Sequence, residues 1–312
     1  MLRQIFGFKK KNDCGLLPHT RENLNGLYGS MQFYPWPIKK FNVEKVWDVA
    51  MGENVVVAVL DSGCDSSHED IKDNLVKGWN TINNNSDTND DNGHGTHVAG
   101  TIGAVNNILG VVGVAPKVKI MPVKVLNAEG MGSNVDVARG IIWACDNGAD
   151  ILTMSLGSEY PSKPIEDALK YAKTKNVVIF CAAGNSGNNT DIQYPAKYEQ
   201  TISIGAIDKN LKICEFSCTG DSLDFVAPGQ DIPSCVPNNS YAIMSGTSMA
   251  TPYAVGCAAL LLSSIRQKNP GKKISKNEYI DILSKYTKHL SQSEFSGNRR
   301  YEGNGIIHPV VI

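Results

Sequence analysis

The stretch VVVAVLDSGCD, residues 55–65, places an unbroken apolar run directly before an acidic residue, Asp61. Consecutive apolar residues without alternation are typical of a strand that is buried on both faces. Such strands belong to parallel sheets, which helices cover on either side. The stretch therefore predicts a central parallel strand that ends in a carboxylate.

Further apolar runs of the same kind follow along the chain, and helical patterns separate them. Residues 133–147, SNVDVARGIIWACDN, predict a helix that Ser133 caps and that ends before Gly148. Residues 162–175 predict a second helix. Alternating strands and helices predict an α/β fold with a mainly parallel central sheet flanked by helices on both faces. The further runs are VKIMPVKVL (118–126), DILTMSL (150–156), NVVIFCAA (176–183) and TISIGAI (201–207).

Two more helices are predicted towards the C-terminus. The segment ATPYAVGCAALLLSSIRQ (250–267) is apolar on almost every side, which predicts a buried helix with Pro252 in its first turn. Ser275 and Glu278 have the spacing of a capping box, which predicts a last helix over about 275–289.

The bulk composition narrows the class of protein. The chain has 312 residues, with 30 Lys and Arg against 31 Asp and Glu, for a net charge of −1. This balance gives no reason to expect a nucleic-acid partner. No 18 apolar residues follow one another, so no membrane-spanning helix is predicted. The N-terminus lacks the apolar core of a signal peptide, which predicts a cytoplasmic protein. The oligomeric state stays open, with a homodimer among the alternatives.

The eight cysteines are predicted to be free thiols. A chain of this length can bury an apolar core without cross-links, and several cysteines lie in apolar patterns, such as Cys181 in VVIFCAAG. Cys214 and Cys218 lack the partner pair or nearby histidines that a zinc site needs.

Three segments carry the residue types of nucleophilic catalysis. Asp61 ends the first apolar strand, His94 lies in DDNGHGTHVAG (90–100), and Ser248 lies in MSGTSMATP (244–252). Ligands of open parallel sheets gather at strand carboxyl ends and helix N-termini, where all three lie. A serine hydroxyl needs a base of near-neutral pKa, and the imidazole needs a carboxylate on its other nitrogen. The three segments therefore predict a serine hydrolase.

The segments AVLDSG, NGHGTHVAGT and SGTSMATP, in that order, resemble the Asp, His and Ser motifs of the subtilisin-like serine proteases. The resemblance is strongest to the intracellular members and covers residues from about 32 to 290. It implies a serine endopeptidase that acts through an acyl-enzyme, with Ser248 as nucleophile, His94 as base and Asp61 orienting His94. FCAAGNSG resembles the family's oxyanion segment, which implies that the Asn185 amide holds the oxyanion with the Ser248 backbone N–H.

A second histidine, His97, raises the alternative of a metal site. A zinc motif of the H-E-x-x-H type carries a glutamate after its first histidine, whereas Gly95 and Thr96 stand here. A structural role for His97 is therefore favoured. Two rival functions stay open: a homologue that binds peptides without cleaving them, and a metal-dependent hydrolase.

The resemblance also implies how a protein or peptide substrate is held. An extended substrate would pair as an added strand between the GMGS segment (130–133) and the MSLGS segment. Gln193, before YPAKY, lies where the family has the base of the S1 pocket. General protein turnover and a dedicated cleavage, such as leader or propeptide removal, both remain open. The implied substrate-binding residues are Gly130, Gly132, Ser155, Leu156, Gly157 and Gln193.

A structural Ca²⁺ ion is a further implication of the resemblance. HEDI and the loop AVNNILGVVG resemble the segments that wrap the family's strong calcium site, and hard oxygen ligands suit this ion. The implied ligands are the side chains of Gln32, Asp70 and Asn107 and the carbonyls of Val105, Leu109 and Val111.

Residues 1–31 fall outside the strand and helix pattern, so they are predicted to be an extension ahead of a peptidase domain over 32–312. GLLPHT, with Leu16, Leu17, Pro18 and His19, resembles the Leu-Ile-Pro-Tyr-type motif of intracellular subtilisin-like proteases, although His19 replaces an aromatic hydroxyl. The resemblance implies an autoinhibitory segment that is removed on activation. A solubilising basic tail is the alternative.

Overall fold

The computed structural model describes residues 13–24 and 31–312, and its centre is a parallel sheet of seven strands. Across this sheet the strand order is β11-β10-β9-β7-β3-β5-β4, which matches the predicted α/β fold. In chain order the strands are β1 (Asp13–Leu16), β2 (Thr20–Leu24), β3 (Val56–Asp61), β4 (Trp79–Asn80), β5 (Lys119–Lys124), β6 (Met131–Ser133), β7 (Ile151–Met154), β8 (Leu156–Gly157), β9 (Val178–Ala182), β10 (Thr201–Ile207), β11 (Phe225–Pro228), β12 (Ile232–Val236) and β13 (Ser240–Ser245).

Helices surround the sheet in two packed pairs, α2 with α5 and α3 with α4. The Ser133 hydroxyl accepts the Asp136 N–H at the start of α3, as its predicted cap. The α-helices are α1 (Trp36–Lys40), α2 (His94–Gly103), α3 (Asn134–Asp146), α4 (Lys163–Thr174), α5 (Thr247–Lys268), α6 (Lys276–Leu283) and α7 (Arg299–Glu302), and 3-10 turns cover Val43–Val46, Lys72–Asn74 and Ser284–Tyr286.

The core lies where the apolar strands meet α2 and α5. Nearly every residue of β3, β7, β9 and β10 is buried, as expected for strands covered on both faces. Helix α5 has the length and apolar composition of a membrane span, but that apolar window is entirely buried inside the fold. It is therefore the central core helix.

Two helix predictions need correction. Pro252 lies inside α5 rather than in its first turn, because the helix begins at Thr247. The last helix has the predicted capping box at Ser275, but α6 ends at Leu283 instead of near 289. Lys288 pairs with Ile306 instead, and this bridge takes the chain out of helical conformation.

Candidate active site

Asp61 and His94 are in direct contact at the end of β3 and the start of α2. His94 Nδ1 lies 2.9 Å from Asp61 Oδ1 and 3.0 Å from Oδ2, and both side chains are fully buried. Gly95 permits this approach, since a Cβ there would lie 2.1 Å from the Gly63 carbonyl oxygen. A carboxylate at Nδ1 favours the proton on that nitrogen, so Nε2 presents its lone pair.

Ser248 is the second residue of α5, and its hydroxyl is bonded to a backbone carbonyl. Ser248 Oγ donates to the Ser155 carbonyl over 3.3 Å. Within residues 13–24 and 31–312, the buried His94 Nε2 has no hydrogen-bond partner. The serine and the imidazole are therefore not hydrogen-bonded to each other in this arrangement.

Pro252 explains a second bond between Ser248 and Ser155. A proline inside a helix cannot donate to the carbonyl four residues earlier, which here belongs to Ser248. That carbonyl accepts the Ser155 hydroxyl at 3.0 Å instead. The strand end and the helix start are thus joined through two hydrogen bonds.

The Asn185 side chain is oriented by Thr247. Its Oδ1 accepts the Thr247 N–H at 2.9 Å and the Thr247 hydroxyl at 2.8 Å. The amide nitrogen therefore points the other way, and Nδ2 donates to the Pro18 carbonyl over 2.7 Å. A donor fixed in this way can hold a negatively charged oxygen.

Residues 13–24 of the same chain are called here the docked segment, and the first part of this segment pairs with residues predicted to bind substrate. The predicted Ser155 is bonded to Ser248. Strand β1 lies antiparallel between β6 and β8, with Gly15 opposite Gly157 and Leu16 opposite Leu156. The Leu16 N–H donates to the Gly130 carbonyl over 2.9 Å. Both predicted substrate edges are therefore paired with the chain itself.

The two leucines of the docked segment fill apolar sites. Leu17 is 0% exposed and Leu16 is 5% exposed. A Cβ at Gly130 would lie 2.7 Å from Leu16 Cδ1, and a Cβ at Gly157 would lie 2.5 Å from Leu17 Cδ2. Because these glycines have no side chain, they leave the space that the two leucine side chains occupy.

The segment leaves the β1 strand at Pro18, which has no N–H for a ladder. The Leu17 carbonyl is bonded to His19 Nδ1 at 3.0 Å, while the next carbonyl, that of Pro18, meets Asn185. Beyond this turn, β2 pairs antiparallel with β13. The docked segment thus crosses the whole site from one sheet to another.

His19 covers the candidate base. The His19 and His94 rings lie 5.0 Å apart between centroids and are tilted by 54°. Burial, and then the neighbouring His94, lower the pKa of His19 to about 4. The ring is therefore neutral at neutral pH and packs on His94 without a charge of its own.

His97 is fully buried in the core. Its Nε2 is 3.0 Å from the Ile232 carbonyl and 3.2 Å from the Ala242 carbonyl. Burial lowers the pKa of His97 to about 3. The neutral ring therefore joins α2 to β12 and β13, an arrangement that suits the structural role predicted for it.

The predicted calcium ligands form one cluster. Asp70 accepts the Asn107 amide at 3.0 Å and the Val111 N–H at 2.8 Å. Gln32 donates to the Leu109 carbonyl at 2.7 Å and accepts the Asn107 N–H at 2.9 Å. The Val105 N–H donates to the Asp70 backbone carbonyl. One carboxylate, two amide side chains and loop carbonyls are a donor set that fits Ca²⁺.

Gln193 is buried, 8% exposed, beside the docked Leu17. Its Nε2 donates to the Ser186 hydroxyl at 3.0 Å. Its Oε1 would lie 3.1 Å from a Cβ at Gly157, the same point that Leu17 approaches. Gln193 and Leu17 therefore border one pocket.

All eight cysteines are buried and unpaired, as predicted. Sequence reasoning missed other residues near the site, above all Asp90 and Ser62. Ser62 Oγ donates to Asp90 Oδ1 over 2.8 Å. The available signal was an acidic residue a few positions ahead of the small-residue run THVAGTIGA (96–104), which has the pattern of a helix, since carboxylates often cap helices at such a position.

Comparison with known proteins agrees with this geometry. Residues 52–305 match the subtilase family, Peptidase S8. Subtilisin BL from Lederbergia lenta is 43% identical over 240 residues, which are 77% of this chain and 86% of that protein. The intracellular serine protease of Paenibacillus polymyxa is 39% identical over 286 residues, with coverages of 89% and 86%. Subtilisin DY from Bacillus licheniformis is 39% identical over 281 residues, with coverages of 89% and 97%. The chain therefore belongs to the subtilase family of serine endopeptidases.

Proposed function

We propose that this endopeptidase cleaves peptide bonds through an acyl-enzyme formed on Ser248. The observation that carries the proposal is the buried contact between Asp61 and His94, which leaves the lone pair on His94 Nε2. Once the Ser248 hydroxyl turns to that nitrogen, Oγ attacks the carbonyl carbon of the substrate while His94 takes the proton. Asp61 orients the ring and stabilises the imidazolium that results.

The later steps use Asn185 and the same histidine. The tetrahedral oxyanion lies against Asn185 Nδ2 and the Ser248 backbone N–H. His94 then gives its proton to the leaving amine as the C–N bond breaks, which leaves the acyl group on Ser248. Water, activated by His94, cleaves this ester and restores the serine.

The docked segment is proposed to hold the full chain inactive until it is removed. Its Pro18 carbonyl occupies the Asn185 donor, its His19 covers His94, and its strand occupies the substrate edges. Residues 1–12 and 25–30 of the predicted extension lie outside the described residues. The rest of the chain, 32–312, forms the peptidase domain in this proposal.

A bound Ca²⁺ ion would hold the loop over 105–111 against Asp70 and Gln32, as a structural ion remote from the chemistry. The support is that hydrogen bonds bring Gln32, Asp70 and Asn107, whose side chains all carry oxygen atoms, into one cluster with the loop. An intracellular role is proposed on the printed name of the relative from Paenibacillus polymyxa and on the docked segment. A dedicated leader- or propeptide-processing role is the alternative biological assignment.

Ser248→Ala tests the catalytic proposal. We expect the variant to fold, to lose turnover of a chromogenic peptide and to lose labelling by a fluorophosphonate, with wild type activated in parallel. Asn185→Ala should lower kcat by about 10²–10³ with little change in KM, because the oxyanion forms only after attack. Activity retained in Ser248→Ala would refute the assignment. Insensitivity to fluorophosphonate with loss of activity in a zinc chelator would favour a metal-dependent hydrolase.

A further inference from the structure

A buried carboxylate, Asp90, lies behind the candidate active site and touches both halves of it. Asp90 is 4% exposed. Its two oxygens accept five hydrogen bonds, all from neutral groups. The donors are Ser62 Oγ (2.8 Å), Asn92 N (3.0 Å), Gly93 N (2.8 Å), Thr96 N (2.9 Å) and Thr96 Oγ1 (2.6 Å). A buried charge with five donors is well satisfied and is fixed in position.

On the strand side, Asp90 reaches Asp61 through one residue. The Ser62 hydroxyl donates to Asp90 Oδ1, and the Ser62 N–H donates to Asp61 Oδ1 over 2.7 Å. The same hydroxyl accepts the Gly95 N–H at 2.9 Å. Ser62 therefore connects the two carboxylates, because it is hydrogen-bonded to both Asp61 and Asp90.

On the helix side, Asp90 caps α2, the helix that begins with His94. Gly93 is the N-cap residue and has no side chain to bond the free N–H groups of the first turn. Asp90 replaces that side chain, because Oδ1 accepts the Gly93 N–H and Oδ2 accepts the Thr96 N–H. A carboxylate at this end of a helix is also favoured by the helix dipole.

We propose that Asp90 is a positioning residue that sets the separation of Asp61 and His94. The two residues belong to different elements, a strand end and a helix start, and Asp90 is bonded to both. The inference rests on the catalytic roles proposed for Asp61 and His94. Because the reacting groups must be held to a fraction of an ångström, loosening this link lowers kcat.

The test compares Asp90→Asn with Asp150→Asn. Asparagine keeps the size of the side chain but puts an NH₂ group, a donor, in place of one of the two accepting oxygens. Asp150 is also buried and satisfied, by Arg266 at 2.6 Å, but it precedes β7 and so lies at the amino end of the parallel strands, opposite the end at which Asp61 lies. In the activated enzyme we expect Asp90→Asn to lower kcat by about 10–100-fold, with KM changed by less than about twofold. Asp150→Asn should lower the melting temperature and leave kcat near that of wild type.

A spectroscopic measurement separates positioning from general stability. In full-length Ser248→Ala protein, the low-field proton NMR resonance of His94 Nδ1 reports its contact with Asp61. Asp90→Asn should shift or broaden this resonance, and Asp150→Asn should not. If Asp90→Asn does not fold, Ser62→Ala removes the hydroxyl that joins Asp90 to the Asp61 side, together with the bond from the Gly95 N–H, but keeps the bonds from Asp90 to Gly93 and Thr96. It should act in the same direction.

The proposal is overturned if kcat and the resonance are unchanged in these variants, or if Asp150→Asn changes them equally. His94→Ala identifies which proposal has failed. An active His94→Ala enzyme would refute the proposed mechanism. An inactive His94→Ala enzyme beside a normal Asp90→Asn enzyme would refute only the role of Asp90.

Discussion

His94 and His97 share one helix turn, and their different surroundings give them different chemistry. His94 has a carboxylate on Nδ1, whereas His97 is bonded only to backbone carbonyls at Nε2 and is fully buried. Burial keeps the pKa of His97 at about 3, below its ordinary value of 6.5. Both rings are fully buried, so identical side chains three residues apart differ in the groups to which their nitrogens are bonded.

His97 should make the stability of the fold depend on pH. Its pKa is lower in the folded chain, so the unfolded chain binds the proton first as the pH falls. The stabilisation is present above about pH 6.5 and is lost towards about pH 3, with a slope of at most about 1.4 kcal/mol per pH unit. In the Ser248→Ala background, denaturant unfolding of His97→Gln should depend less on pH between 6.5 and 4.5. A pH dependence of His97→Gln equal to that of the Ser248→Ala parent would contradict the prediction.

Gln193 is predicted to restrict the P1 side chain. It shares a pocket with the docked Leu17, so a medium-sized apolar group fits beside it. The activated enzyme should prefer P1 Leu or Met over Phe and Tyr, and Gln193→Gly should raise kcat/KM for Phe and Tyr about tenfold or more. A P1 peptide library measures both. A strong aromatic preference in wild type that Gln193→Gly leaves unchanged would exclude this role.

At the scale of elements, the docked segment is attached at both ends. Strand β1 completes the β6-β1-β8 sheet, and β2 completes the β12-β13-β2 sheet. Pro18 lies between them, opposite Asn185. Short strands are only marginally stable by themselves. The docked position of the segment therefore depends on pairing with two sheets and on the burial of Leu16 and Leu17.

Leu17→Asp should release the docked segment. The leucine is fully buried, and a carboxylate in its place would lose its hydration without a partner. We expect the full-length variant to cleave a chromogenic peptide before any shortening, while the full-length parent stays inactive. Mass spectrometry verifies the length, and Glu22→Gln on the exposed strand β2 is the control. A full-length Leu17→Asp enzyme as inactive as the parent would remove the autoinhibitory role.

At the scale of the whole molecule, the calcium cluster connects distant parts of the chain. Asp70 is bonded to Val111 in the loop and to the Tyr241 hydroxyl on β13. Gln32, which follows the docked segment in the chain, is hydrogen-bonded to Leu109 in the same loop. An ion held here would therefore stabilise the fold as a whole.

Added Ca²⁺ should raise the melting temperature of the metal-stripped protein by mass action. At a Ca²⁺ concentration of a hundred times the Kd, the free energy of unfolding should rise by about 2.7 kcal/mol. Asp70→Asn should abolish most of this gain, since it removes the only carboxylate among the predicted ligands. Asp73→Asn, on a nearby exposed turn, should keep it. The measurement is thermal unfolding of the Ser248→Ala protein with and without the ion. A melting temperature that neither Ca²⁺ nor a chelator changes would argue against the site.

The sequence by itself determined five strands of the central sheet, four of the α-helices and the candidate residues. A strand buried on both faces must be apolar throughout, so β3, β7, β9 and β10 could be identified from local composition. Asp61, His94, Asn185 and Ser248 lie in short motifs whose resemblance to subtilisin-like proteases is specific, and family membership and endopeptidase activity are confirmed.

Only the tertiary structure decided how these residues meet. The bond from Asn185 to Pro18 spans 167 positions, and that from Ser248 to Ser155 spans 93. The hydrogen bond of the Ser248 hydroxyl and the hydrogen bonds of Asp90 produce no periodic pattern in the sequence. Hydrophobic patterning records which face of an element is buried, whereas hydrogen bonds between distant segments depend on how the elements pack, and that packing is a property of the whole fold.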